Sequence, residues 1–104
     1  GIIELPRPAI ISGVVLDTKF FKGNYPDRFS ITADCISGVE DSELINKSKG
    51  WSELTKQQKL EMNKEHIFGE DCIEHQNPVS HIRVDIYPDG GIARLKLIGK
   101  FVRL

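Results

Sequence analysis

The chain has no apolar run approaching the roughly 20 residues that a membrane-spanning helix needs. Its opening, GIIELPRPAIISGVV, has neither the basic start nor the unbroken apolar block of a secretion signal. It also lacks charge of one sign: 14 basic residues stand against 15 acidic ones, for a net charge of −1. Nucleic acid and anionic membranes demand a long-range attraction that so balanced a chain does not offer, and neither is expected as a partner. Only two cysteines, Cys35 and Cys72, are present. A domain of 104 residues with this much apolar material needs no disulfide staple, so both are expected as free thiols in a soluble, cytoplasmic protein. The G-x-S-x-G elbow, the phosphate-cradling glycine loop and H-E-x-x-H are all missing, which removes the common hydrolase, nucleotide and zinc-protease signatures. The spacing of His66, Cys72 and His75 fits no zinc pattern, so no metal site is expected, and the sequence names no cofactor.

What is there reads as one domain over residues 1–104, built from short strands. Ile2-Ile3-Glu4-Leu5 is a strand stopped by Pro6 and Pro8, and Ala9 to Asp17 is a second, buried one. RFSITADCI alternates, with Phe29, Ile31, Ala33 and Cys35 on one side. Residues 37–50 carry no sustained period and read as a surface loop or insertion. The segment after Trp51 is open between a short helix and a loop: Thr55 and Gln58 have capping-box spacing, yet Leu54, Leu60 and Met62 make no helical stripe. Trp51 itself anchors the start of this segment in the core. EHIFGED supplies another short strand, where His66 is a packing residue.

Near the C-terminus Ile82, Val84 and Ile86 alternate with His81, Arg83 and Asp85. After Tyr87-Pro88-Asp89-Gly90-Gly91, a second run alternates Ala93, Leu95 and Leu97 with Arg94, Lys96 and Ile98. The Asp-Gly pair favours a tight reversal, so the two runs predict a β-hairpin. Strands without crossover helices predict an antiparallel all-β sandwich. The mixed-charge face of the hairpin has two readings. One is a solvated outer face. The other is the wall of a small-anion pocket completed by Lys22, Asn24 and Arg28, with Arg and Lys holding a carboxylate and His or Asp moving protons. Asp17-Thr18 is either a turn-stabilising pair or a substrate contact.

Several ordered blocks resemble the allantoicase family. Asp17, Thr18, Phe20, Phe21, Gly23, Asn24 and Pro26 match D-T-x-F-F-x-G-N-x-P; Trp51, Glu53 and Leu54 match a tryptophan followed by Glu-Leu; His66 and Phe68 match H-x-F. The closing block is matched from His81 and Arg83 through Tyr87, Asp89, Gly90 and Gly91 to Arg94 and Leu95, with Ser80 where the family has threonine. The resemblance implies a jelly-roll sandwich of the galactose-binding-like type that covers the later part of one of two repeats and lacks its first strands. It also implies hydrolysis of allantoate, a linear ureide, to ureidoglycolate and urea, and it favours loop over helix for residues 55–64.

On that basis Arg94 or Arg83 is the expected carboxylate clamp and His81 or Asp89 the proton-transfer group. Lys22 and Asn24 are expected to orient the ureido groups, and Arg28 and Tyr87, the latter building the hairpin end, are further substrate contacts. An open sheet edge predicts a homo-oligomer. A non-catalytic binding or assembly module on the same fold is the alternative.

Overall fold

The computed structural model describes residues 1–18, 28–38, 40–61, 64–87 and 94–102. Among these residues six strands and one α-helix follow in the order β1 (Ile2–Asp17), β2 (Arg28–Asp34), α1 (Asp41–Ser48), β3 (Ser52–Lys59), β4 (Glu65–Phe68), β5 (Val79–Tyr87) and β6 (Arg94–Phe101), with a short 3-10 turn at Glu70–Cys72. Every pairing is antiparallel, in the order β3-β2-β5-β1-β4, with β6 on β1 as well.

The prolines do not end the first strand, contrary to expectation. β1 is one strand of 16 residues. Its register to β5 jumps between Glu4, opposite His81, and Ala9, opposite Val79, so five steps on β1 meet two on β5. Pro6 and Pro8 sit in that bulge, where no ladder bond to β5 asks for the N–H they lack. Beyond the bulge β1 runs against β6 from Ala9 to Asp17, and β4 joins it from Val14 to Asp17.

The two C-terminal runs are strands, but among the described residues they do not pair with each other, which corrects the hairpin. β5 lies between β2 and the first part of β1, whereas β6 lies on the second part of β1. Both are antiparallel to β1 and therefore point the same way along it. On a flat sheet Tyr87 and Arg94 would lie roughly 60 Å apart at the usual rise per residue. The chain that links them reaches at most roughly 25 Å. The sheet must therefore curl, with β1 carried from one layer into the other. A straight strand of 16 residues, roughly 50 Å long, would also overrun a molecule whose longest extent is 42 Å. Alternation identified the strands correctly; it carries no information on which neighbour each one chooses.

Between the layers lies one core of Ile11, Val14, Leu16, Phe29, Ile31, Leu54, Val79, Ile82 and Val84, all buried, with Leu95 and Leu97 packed against it. Phe29, Ile31 and Ala33 point inward as the alternation of β2 predicts, but Cys35, one residue past the strand, is exposed. Trp51 is buried as expected.

Two further segments differ from the sequence reading. Residues 41–48 form a helix, with Asp41 and Glu43 in its first turn and a Glu43–Lys47 pair one turn apart. Residues 52–59 form a strand, neither helix nor loop. Against β2, Phe29 faces Gln58, Ile31 faces Thr55 and Thr32 faces Glu53, so β3 carries two extra residues and its inward parity slips. Leu54 and Thr55 are consequently both buried although adjacent, a pattern with no period of two.

Candidate functional site

β5 is the inner strand on which the polar candidates meet. Ile82 and Val84 enter the core, and His81, Arg83 and Asp85 take the opposite parity. That second face is not simply solvated, because helix α1 and residues 36–38 lie over it. Arg83 donates from Nε to Asp85 Oδ1 at 3.0 Å and from a terminal nitrogen to Ser48 Oγ at 2.9 Å. Ser48 is buried and passes its own proton to the Ile45 carbonyl at 2.7 Å. Asp85 thus aims the guanidinium, and the guanidinium ties α1 to the sheet.

Two cavities open along this face and share Asp41. One, of about 380 Å³, is walled by Ile2, Asp41, Leu44, Ile45, Arg83 and Asp85. The other, of about 340 Å³, is walled by residues that include Glu4, Arg7, Gly38, Asp41, Ser80 and His81. His81 is only 8% exposed. Its Nδ1 lies 2.8 Å from Ser80 Oγ, its Nε2 lies 4.0 Å from the Glu4 carboxylate, and its ring tilts against Trp51 at 6.1 Å.

The other sequence candidates gather elsewhere. Arg28 stands opposite Tyr87 in the β2–β5 ladder, with its guanidinium 5.8 Å from the centre of the ring. Arg94 stands opposite Asp17, at the far end of β1 from Glu4 and His81, and lines neither of the two cavities. Lys22, Asn24 and Asp89 lie outside the described residues, as does the Asp-Gly corner. The residues that flank their two segments are nonetheless informative. Segment 19–27 leaves from beside Asp17 and arrives at Arg28; segment 88–93 leaves from Tyr87 and arrives at Arg94. Since Asp17 pairs with Arg94 and Arg28 pairs with Tyr87, both segments join the same two strand pairs. His81 and Arg83 therefore form one group beneath α1, and Arg28, Tyr87 and Arg94 flank a second.

Thr18 is a structural residue: its hydroxyl donates to the Glu61 carbonyl at 2.6 Å and accepts the Lys64 N–H at 3.1 Å, closing the chain onto the end of β1. His66 is structural too. Its Nε2 accepts the Glu61 N–H at 2.8 Å, which leaves Nδ1 to donate to the Leu16 carbonyl at 3.1 Å, so both nitrogens are spent on backbone. Nearby, the hydrogen bond and charge of Lys64 hold the exposed Glu61 carboxyl below the usual carboxylate range. Burial, aided by Asp71 and Glu74, pushes the Cys72 thiol up, the wrong direction for a thiolate ligand. Among the described residues no cluster of His, Cys, Asp and Glu is arranged to hold a metal.

Glu4, Asp41, Ser48 and Ser80 were not singled out for the site by sequence reasoning. Asp41 and Ser48 could have been found through the acidic first turn and the i,i+4 charge pair of α1. Nothing local marks Glu4, which reaches His81 only through the β1–β5 ladder.

The fold and these cavities define an all-β antiparallel sandwich unit whose polar groups lie along one inner strand and at the strand ends that flank two connecting segments. A family model described as the allantoicase repeat matches residues 1–102. The chain is 44% identical over 99 residues to a probable allantoicase of Pseudomonas fluorescens strain SBW25, and 47% identical over 102 residues to one of Stutzerimonas stutzeri strain A1501. These alignments cover 95% and 98% of this chain and 30% of each relative. Among solved structures it resembles one described as the structure of allantoicase, with a TM-score of 0.72 and 29% identity over 95% of this chain and 26% of that one. Allantoicase from Saccharomyces cerevisiae gives a TM-score of 0.69, also at 29% identity, over 92% of this chain and 26% of that one. The chain belongs to the allantoicase family, and it spans about a third of the length of the curated relatives it matches.

Proposed function

We propose that this chain is a repeat unit of an allantoicase and that the protein containing it hydrolyses allantoate to ureidoglycolate and urea in purine degradation. The observation that carries this reading is the match to the allantoicase repeat across residues 1–102. Allantoate carries one carboxylate and two ureido arms on a single carbon. Releasing one arm requires the carboxylate to be held and the departing nitrogen to be protonated. Arg94 and Arg28 supply guanidinium charge beside the two connecting segments, where Lys22, Asn24 and Asp89 are further contacts for the ureido groups and the transferred proton, and Tyr87 a further surface. Arg83 is a second candidate for the carboxylate. Its existing bonds to Asp85 and Ser48 fix its plane, and His81 is the proton-transfer group on the same strand.

The protein acts in the cytoplasm as a homo-oligomer in this reading. Among the described residues no helix is long and apolar enough to cross a membrane. Light scattering tests the association: mass that rises with concentration supports it, and a constant monomer mass counts against it.

The test of function is urea release from allantoate, measured on this chain and on the longer protein that contains it. Release by the longer protein, lost on Arg94→Lys because lysine cannot grip a carboxylate in two places, supports the assignment. A folded longer protein that binds allantoate without releasing urea would establish the second reading, a non-catalytic binding or assembly module.

A further inference from the structure

We infer that Ser80 is the positioning residue that sets the tautomer of His81, holding its proton on Nδ1 and turning the Nε2 lone pair into the 340 Å³ cavity. The inference rests on the reading of His81 as a proton-transfer group and adds the device that fits it for that work.

The argument is a count of protons around one oxygen. Four polar groups surround Ser80 Oγ: the Ile36 N–H at 2.9 Å, the Ile36 carbonyl at 3.1 Å, the Asp34 carbonyl at 3.4 Å and His81 Nδ1 at 2.8 Å. A hydroxyl has one proton to give and two lone pairs to receive. If that proton went to His81, the two carbonyl oxygens would face a bare hydroxyl oxygen with nothing between them. If it goes to the Ile36 carbonyl, the lone pairs accept the Ile36 N–H and an N–H from His81 Nδ1, so the three shortest contacts are all hydrogen bonds and only the longest, to the Asp34 carbonyl at 3.4 Å, has no proton of its own. Ser80 is itself buried, so an unmatched contact there is costly. The imidazole is therefore Nδ1–H when neutral, and it keeps that same bond when Nε2 takes a second proton.

Nε2 is the nitrogen that faces chemistry. Across the cavity stand Glu4, whose carboxylate is 4.0 Å away, with Arg7 of the same strand and Asp41 of α1; Asp34 is the residue opposite on β2. Trp51 closes the other side of the ring. Nε2 can take the N–H proton of the ureido arm that stays, as that nitrogen forms a C=N bond to the central carbon and the C–N bond to the other arm breaks. The imidazolium returns that proton to the departing nitrogen, which has kept the electron pair of the broken bond and leaves as urea; a water in the cavity then adds across the C=N bond, its oxygen to carbon and its hydrogen to nitrogen, to give ureidoglycolate. The proton gained by the imidazole is the one it loses, and Ser80 need not move in either step. A third group that fixes a histidine tautomer is a recurrent arrangement in acid–base catalysis.

Nitrogen-detected NMR of labelled histidine reads the tautomer directly. His81 is expected as Nδ1–H in the native chain and in Ser80→Thr, which keeps the hydroxyl, and as a mixture shifted toward Nε2–H in Ser80→Ala. In the longer protein, Ser80→Ala is expected to lower kcat about 10- to 100-fold with KM little changed, and Ser80→Thr to recover most of it. Native His81 found as Nε2–H, or an unchanged tautomer in Ser80→Ala, overturns the inference. An altered tautomer with undiminished kcat overturns the proton-transfer role. If the native longer protein released no urea at all, the proposed reaction itself would be refuted, and with it the catalytic use of a tautomer that the NMR measurement reads independently.

Discussion

Thr55 is fully buried on β3, and its hydroxyl finds no hydrogen-bond partner among the described residues. Replacing it by the isosteric valine removes the cost of that burial and suits a strand. Thr55→Val is expected to raise stability by about 0.5–1.5 kcal/mol, measured as a shift of the urea midpoint at unchanged slope. A lowered midpoint would mean that the hydroxyl has a partner. Gly99 offers the opposite case. A Cβ there would overlap the Ile10 carbonyl oxygen and press on the Ile11 backbone, at the place where the β1–β6 register shifts between Ile11 and Gly13. The obstacle is backbone, which cannot rotate out of the way. Gly99→Ala is expected to cost about 1–3 kcal/mol, read from thermal melting.

At the scale of elements, α1 depends most on a single contact. Eight residues are too few for a helix to hold itself in water, and of its residues only Ser48 is buried. The Arg83–Ser48 bond is therefore its principal polar tether. Ser48→Ala is expected to accelerate amide hydrogen exchange across 41–48 by about tenfold or more, the loss of about 1.5 kcal/mol for a charged hydrogen bond, while β2 and β5 exchange as before. Uniform acceleration throughout the sheet would show that α1 and the sheet open together. Elements also show where sequence reading succeeds and where it stops. β2, β4, β5 and β6 could be read because apolar residues recur with a period of two; burial follows it in β2, β4 and β6, whereas in β5 Val79, Ser80, His81 and Ile82 are all buried. β3 could not, because two bulges erase the period, and residues 41–48 could not, because a helix with one buried residue leaves no apolar stripe. The partner of β6 was not legible either: alternation specifies a buried face, whereas the choice between β5 and β1 is made by the curl of a strand 16 residues long. Of the site, the sequence marked His81 and Arg83 through their parity on β5. It did not mark Ser80 or Glu4, whose roles exist only once His81 has been placed.

For the whole molecule, the decisive fact is that β1 borders β5, β4 and β6. No layer can separate without breaking that strand's ladders, so unfolding is expected to be a single cooperative transition. Trp51, the chain's one tryptophan, immediately precedes β3, far along the sheet from β6. Its fluorescence and the far-ultraviolet circular dichroism should follow the same denaturation curve. Separate midpoints would show that the β1–β6 half and the β2–β3 half melt independently. The shared strand also has a consequence for biosynthesis. Within this stretch, β1 leaves the ribosome first and β6 last, so Ile10 and Ile11 wait uncovered until almost all the rest has emerged. A chaperone or a pause in translation would act most strongly in that interval, on the residues made earliest.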